Sequence, residues 1–161
     1  MRIVTAASLG VVATGLWLLS GCGGGDDSGG AGGATGGCNT LVNDGGDVPE
    51  LAATGAPPTM TGGAIADGTY VLTARQDWQG SCNCTTRQKL VVAAGQAQLV
   101  QHTDSAPDLH LTAALTTSGN ALSLKVSCPA ATTMDLLYTA TATEIQVFDP
   151  KDQSLNVFTK Q

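Results

Sequence analysis

The sequence predicts an all-β domain, a small antiparallel sheet of eight short strands closed as an up-and-down barrel, with a two-sheet β-sandwich as the alternative. Three observations predict it. Leu109, Leu111, Ala113 and Leu115 alternate with Asp108, His110, Thr112 and Ala114, and Leu122, Leu124, Val126 and Cys128 alternate with Ala121, Ser123, Lys125 and Ser127. Each run therefore has the period of two that marks a strand with one buried face. Turn signals such as Ala94-Gly95, Asp104-Ser105-Ala106-Pro107 and Asp149-Pro150-Lys151-Asp152 separate the runs. After the first pair, strand starts lie about 9 to 14 residues apart, which allows hairpins and leaves no room for crossover helices.

Taken in order, the chain opens on Arg2 and an uncharged run from Ile3 to Leu19, interrupted by Thr5, Ser8, Gly10, Thr14 and Gly15 and ending at small Ser20 and Gly21. That pattern fits a cleaved signal peptide over residues 1–21 better than a span, because no basic anchor follows the run. Leu19-Ser20-Gly21-Cys22 resembles the bacterial lipoprotein signal, in which the peptide is cut before the cysteine. The resemblance implies that Cys22 is acylated, with palmitate among its chains, and anchors the protein to a membrane. A plain secreted protein and an uncleaved anchor are the alternatives. Gly23, where inner-membrane lipoproteins carry Asp, implies the bacterial outer membrane, on its periplasmic or cell-surface face.

Residues 22–37 are the lipidated cysteine and a flexible tether. Nine of the fifteen residues from Gly23 to Gly37 are glycine, and a coil of that length has an end-to-end distance of roughly 20 Å. Residues 38–67 hold Pro49, Pro57 and Pro58 with scattered Leu41, Val42, Val48, Leu51 and Ile65, and read as an extended arm without helical or strand period. Residues 68–161 are the β domain. Cleavage at residue 21 takes Arg2 from the 7 basic residues and nothing from the 13 acidic ones, so the mature chain carries a net charge of −7. A nucleic-acid partner is excluded on that balance.

Within the domain, the strand runs are 69–75, 87–93, 96–102, the two alternating runs above, 134–142, 144–148 and 154–160. Thr117-Ser118-Gly119-Asn120 supplies the positive-φ residues that a hairpin turn needs. So many short strands must protect their edges, and closing the sheet does so.

With Cys22 lipidated, Cys38, Cys82, Cys84 and Cys128 remain, an even number in an oxidising compartment. Three connectivities are possible. In a meander, the loop carrying Cys82 and Cys84 and the strand ending at Cys128 lie at the same mouth, which Cys38 reaches along the arm. Geometry disfavours a bond between residues two apart.

Several segments, "CNTLVND" at 38–44, "GGAIADGTYVLTA" at 62–74, "SCP" at 127–129, "YTATATE" at 138–144 and the terminal "FTKQ", resemble a group of uncharacterised bacterial surface lipoproteins with a Gly-rich tether and a small β domain. The resemblance covers most of the mature chain and brings no activity. It implies that Cys38 pairs with Cys128, leaving Cys82 and Cys84 to each other. Gly68-Thr69-Tyr70 also resembles the glycine-x-aromatic opening of lipocalin-like barrels, with Tyr where Trp is usual.

No catalytic constellation is present, and the expectation is of a protein that is not an enzyme. Cys82 and Cys84 lie far in sequence from His102 and His110, so no metal site and no cofactor is expected. His110 is placed on the solvent face beside Asp108. The first functional expectation is a monomeric structural or interaction module of the cell envelope, contacting an envelope or extracellular macromolecule. The second is a binder of a small apolar molecule in the barrel mouth. Strands lined with Leu, Val and Tyr are expected to fill an eight-stranded interior themselves, and an apolar cavity of several hundred cubic ångströms decides for the second. The longest loop, 75–86, carries Trp78 and the flexible Gly80 beside the cysteine pair. It is a candidate contact loop, or else Trp78 caps the mouth and packs on the disulfides.

Overall fold

The computed structural model describes residues 37–161. The expected signal peptide, Cys22 and the expected tether up to residue 36 lie outside the described residues. Nine strands follow one another: β1 (Val48–Ala52), β2 (Gly68–Asp77), β3 (Thr85–Ala93), β4 (Gln96–Thr103), β5 (Leu109–Ser118), β6 (Ala121–Cys128), β7 (Thr132–Ala140), β8 (Glu144–Asp149) and β9 (Ser154–Lys160). Among the described residues there is no helix. All nine strands belong to one mixed sheet in sequence order, so the apolar faces do not divide between two sheets.

Strands β2 to β9 are the eight predicted runs, each antiparallel to the next. The last of them returns to the first: Tyr70 pairs with Lys160 and Asp77 with Ser154 along the length of β2 and β9. The turns are tight where the sequence permits. Gly119 has φ 60° in a two-residue turn between paired Ser118 and Ala121, the glycine-first geometry that suits the twist of a hairpin. Ala94 and Gly95 both have positive φ, and the Asp67 carboxylate accepts the Ala94 N–H at 3.2 Å.

The ninth strand, β1, lies within the expected arm. Strands β2 and β3 pair only from Gly68 to Val71, and the β2–β9 register shifts just beyond, between Leu72 and Ala74, leaving a gap between β2 and β3. β1 enters that gap, parallel to β2 through Glu50 and Arg75 and antiparallel to β3 through Val48 and Thr86. Its five residues, with Pro49 among them, give too short a pattern to register in the sequence.

The rest of the arm is held residue by residue. The Asn39 side-chain amide donates to the carbonyls of Leu99 at 3.1 Å and Leu111 at 2.9 Å, Asn43 donates to Arg87 O at 3.0 Å, and Lys89 Nζ meets Asp44 at 2.9 Å. These contacts lie over the outer face of β3 to β5, where Val100 is fully buried although its neighbours Leu99 and Gln101 point the other way. A second outer cluster of Met60, Phe148 and Leu155 covers β7 to β9, with Trp78 and Leu137 packed against it.

Candidate functional site

The inner face of the sheet is set by alternation. Leu90 and Val92 on β3, Leu115 on β5, Leu122 on β6 and Ile145 and Phe158 on β8 and β9 all point to one enclosed space. They do not fill it. A cavity of about 300 Å3 remains, where side-chain filling was the expectation. The reason is where the bulky rings lie: Trp78 and Phe148 pack on the outer face, and Tyr70 and Tyr138 are taken up at one end. The middle is left mainly to aliphatic side chains, with Phe158 on one wall.

That end is closed by the segment leading into β2. Tyr70 donates its phenolic hydrogen to Ala66 O at 2.6 Å and Tyr138 donates to Gly63 O at 2.7 Å. Between them Ile65 enters both interior clusters. Gly62 donates to Tyr138 O at 2.8 Å and accepts from Ala140 N at 2.9 Å. A Cβ on Gly62 would overlap the Gly119 carbonyl, and one on Gly63 the Ala140 carbonyl, so the glycines are what permit the close approach. Burial raises the Tyr70 phenol above its ordinary pKa, and the Asp67 carboxylate adds to the rise.

The opposite end is more polar. Gln88 lies near the start of β3, Gln101 near the end of β4 and Asn156 near the start of β9, and antiparallel order brings those three strand ends together. All three line the cavity. Gln88 Nε2 donates to Gln101 Oε1 at 2.7 Å, and Gln101 donates to Thr103 Oγ1 at 3.3 Å. Asn156 Oδ1 is buried with no hydrogen-bond partner, a deficit of about 1–3 kcal/mol for an orphaned acceptor. At this end Leu109 lines the cavity and is 45% exposed, which marks the mouth.

Beside the mouth an ion pair faces inward. Glu50 Oε2 accepts from Arg75 Nε at 2.6 Å, and Glu50 Oε1 accepts the Cys82 N–H at 2.8 Å. The Glu50 side chain is 4% exposed and that of Arg75 22%. Arg75 is the partner of Asn156 across the β2–β9 ladder, so the two face the same side.

Of the residues singled out in the sequence, Cys38 and Cys128 are joined with Cα atoms 5.4 Å apart, and Cys82 and Cys84 are joined with Cα atoms 5.2 Å apart. Both bonds lie at the mouth end. The Glu50 carboxylate and the sulfurs of Cys82 and Cys84 lie within 4.8 Å of one another, but joined sulfurs are not thiolate ligands. The histidines stand elsewhere. His102 Nδ1 is 2.8 Å from Asp108. His110 Nδ1 is 3.0 Å from Asn39 Oδ1, under the arm and on the same outer face as Asp108. Trp78 meets Phe148 edge to face with ring centroids 5.9 Å apart, on the outer wall and not over the mouth. Its Nε1 is buried without a partner. Gly80, with φ 118° and open space where a Cβ would stand, sits at the exposed tip of the same loop.

Sequence reading missed Gln88, Gln101, Asn156 and Glu50. The first three carry a legible signal, because each falls in phase with core residues: Gln88 with Leu90 and Val92, Gln101 with Leu99, Asn156 with Phe158. A polar residue at a core-phase position is a sign of a lined interior. No protein-family model, no curated protein and no solved structure matches the chain.

Proposed function

We propose that this chain is a lipoprotein of the bacterial outer membrane, anchored through Cys22, whose β domain forms an eight-stranded, lipocalin-like up-and-down barrel that holds one small apolar ligand. The observation that carries the reading is the largely apolar cavity of about 300 Å3, open at one end, at the lower end of the size range of ligand pockets. The return of β9 to β2 supports the barrel, since every strand from β2 to β9 then has a hydrogen-bonded neighbour on each side. A self-filled interior supports an interaction module; a lined space with one wet end supports a binder.

The test is titration of the full-length chain with the neutral apolar dye 1-naphthylamine, small enough for the space, whose emission at the blue edge of its band rises in dry surroundings. Saturable enhancement at one dye per chain is expected. Leu115→Trp, which places a larger ring in the space, is expected to weaken the dye at least about tenfold, with the fold checked by circular dichroism because overpacking costs about 1–3 kcal/mol. Enhancement that never saturates, or that ignores Leu115→Trp in a folded variant, refutes the binding reading.

A further inference from the structure

The cavity is asymmetric, and its asymmetry describes the ligand. We infer that the occupant is an uncharged amphiphile with a chain of about ten to twelve carbons and a hydroxyl or amide head, and that Asn156 determines that specificity; the inference rests on the ligand-binding reading proposed above.

Chain length follows from volume. A dry cavity of about 150 Å3 holds a six-carbon ring such as benzene, so the space here, at about 300 Å3, accommodates about a dozen carbons. Orientation follows from the two ends. Tyr70 and Tyr138 have committed their hydroxyls to Ala66 and Gly63, so the closed end offers a ligand only apolar surface. The mouth end offers Asn156, whose buried Oδ1 has no partner, and beside it the Gln88–Gln101 amide pair. Rotation about χ2 presents either atom of the Asn156 amide, so a head that both donates and accepts satisfies it in either orientation.

Charge selects against an anionic head. The turns and strand ends at the mouth carry Asp77, Asp104, Asp108, Asp149 and Asp152 against Lys151 and His102. The two guanidinium groups nearby each have a carboxylate beside them: Arg75 donates to Glu50, and Arg87 Nε stands 2.9 Å from Asp47 without a hydrogen bond. Among the described residues no side chain lining the cavity is charged. A carboxylate head would therefore enter a negative rim and lose its water without a partner.

The experiment displaces 1-naphthylamine from the full-length chain carrying Cys22→Ser, so that no acyl group competes for the space. Three competitors share a ten-carbon chain: decan-1-ol, decyl methyl ether and, at pH 8, decanoate. Decan-1-ol is expected to displace the dye at concentrations at least about tenfold below those of the ether and of decanoate. In Asn156→Leu the alcohol and the ether are expected to come within about threefold of each other, compared as a ratio within that variant. Equal displacement by alcohol and ether in the parent chain, or an alcohol preference unchanged in Asn156→Leu, overturns the assignment of the head. A parent chain that does not take up the dye fails the ligand-binding reading instead, so the two failures are distinct. If Asn156→Leu does not fold, Asn156→Ala, which adds no bulk, carries the same comparison, and the ratio in the parent chain decides the head chemistry on its own.

Discussion

Tyr138 donates to the carbonyl of Gly63 at 2.7 Å across 75 residues of sequence, fastening the end of the arm over one end of the sheet. The bond is possible only because the backbone at residues 62 and 63 lies against the β5–β6 turn and β7. Gly62 has φ 75°, and its missing Cβ faces the Gly119 carbonyl. Gly62→Ala is therefore expected to cost about 3 kcal/mol, from a left-handed backbone combined with a main-chain clash, lowering Tm by about 10 °C. Gly119→Ala, at φ 60° but in open space, should cost only about 1 kcal/mol. Equal losses at the two positions in thermal melts would contradict the close packing at Gly62.

The proposed anchoring at Cys22 makes a separate prediction. Labelled palmitate is expected to enter the protein in bacteria, and Cys22→Ala to abolish the label and release the domain from membranes. Label that persists in Cys22→Ala would sink the lipoprotein assignment. A single acyl chain holds a protein only marginally, at about 0.8 kcal/mol per buried CH2, so the release depends on losing all the chains together.

The strands were legible in the sequence to within a few residues because period-two alternation and Gly, Asn and Asp turns act locally. Leu122, Leu124 and Val126 need no distant information to show a face. What escaped depends on where remote segments meet. β1 is a strand because β2 and β3 part after Val71 and leave both of them free to pair with it, and nothing in Val48–Ala52 itself records that gap. The cavity escaped for a related reason: alternation says which side chains point inward, while their ability to fill the space depends on ring diameter and on which aromatic side chains face out. Trp78 and Phe148 were countable, but their position on the outer wall was not. Gln88, Gln101 and Asn156 were visible in phase with the core and were passed over because polar residues in strands are most often solvated.

Burial gives the Tyr70 phenol a raised pKa, and the sign of its effect on stability is fixed. The folded state holds the proton more tightly than the unfolded chain, whose tyrosines titrate near pH 10. Stability from this group is therefore fully present below about pH 10 and falls as the pH rises through and beyond it. Urea midpoints of the full-length chain are expected to be flat from pH 7 to 9 as far as Tyr70 is concerned and to drop above about pH 10. In Tyr70→Phe the midpoint is lower at pH 8, because the Ala66 carbonyl loses its donor, and the alkaline drop is shallower. An alkaline limb of unchanged steepness would show that Tyr70 is not the group that holds its proton.

The inward pair of Glu50 and Arg75 makes the sharpest energetic prediction. Glu50 accepts from two donors of different origin, the Arg75 guanidinium on β2 and the Cys82 amide in the following loop, so one carboxylate ties the arm, the sheet and the loop of the Cys82–Cys84 bond together. Removing it leaves a guanidinium facing the interior and an amide without an acceptor. Losing one partner of a buried pair costs about 3–5 kcal/mol, and because Arg75 keeps 22% of its side chain exposed the low end, about 3 kcal/mol, applies to Glu50→Ala. Removing both partners is expected to cost less than the sum of the single changes, since Glu50→Ala with Arg75→Ala leaves no orphaned charge. Urea denaturation of the four chains of this cycle measures the coupling directly. A Glu50→Ala midpoint indistinguishable from the parent, with a coupling near zero, would mean that water reaches Arg75 freely and that this end of the sheet is open where the structure shows it tied.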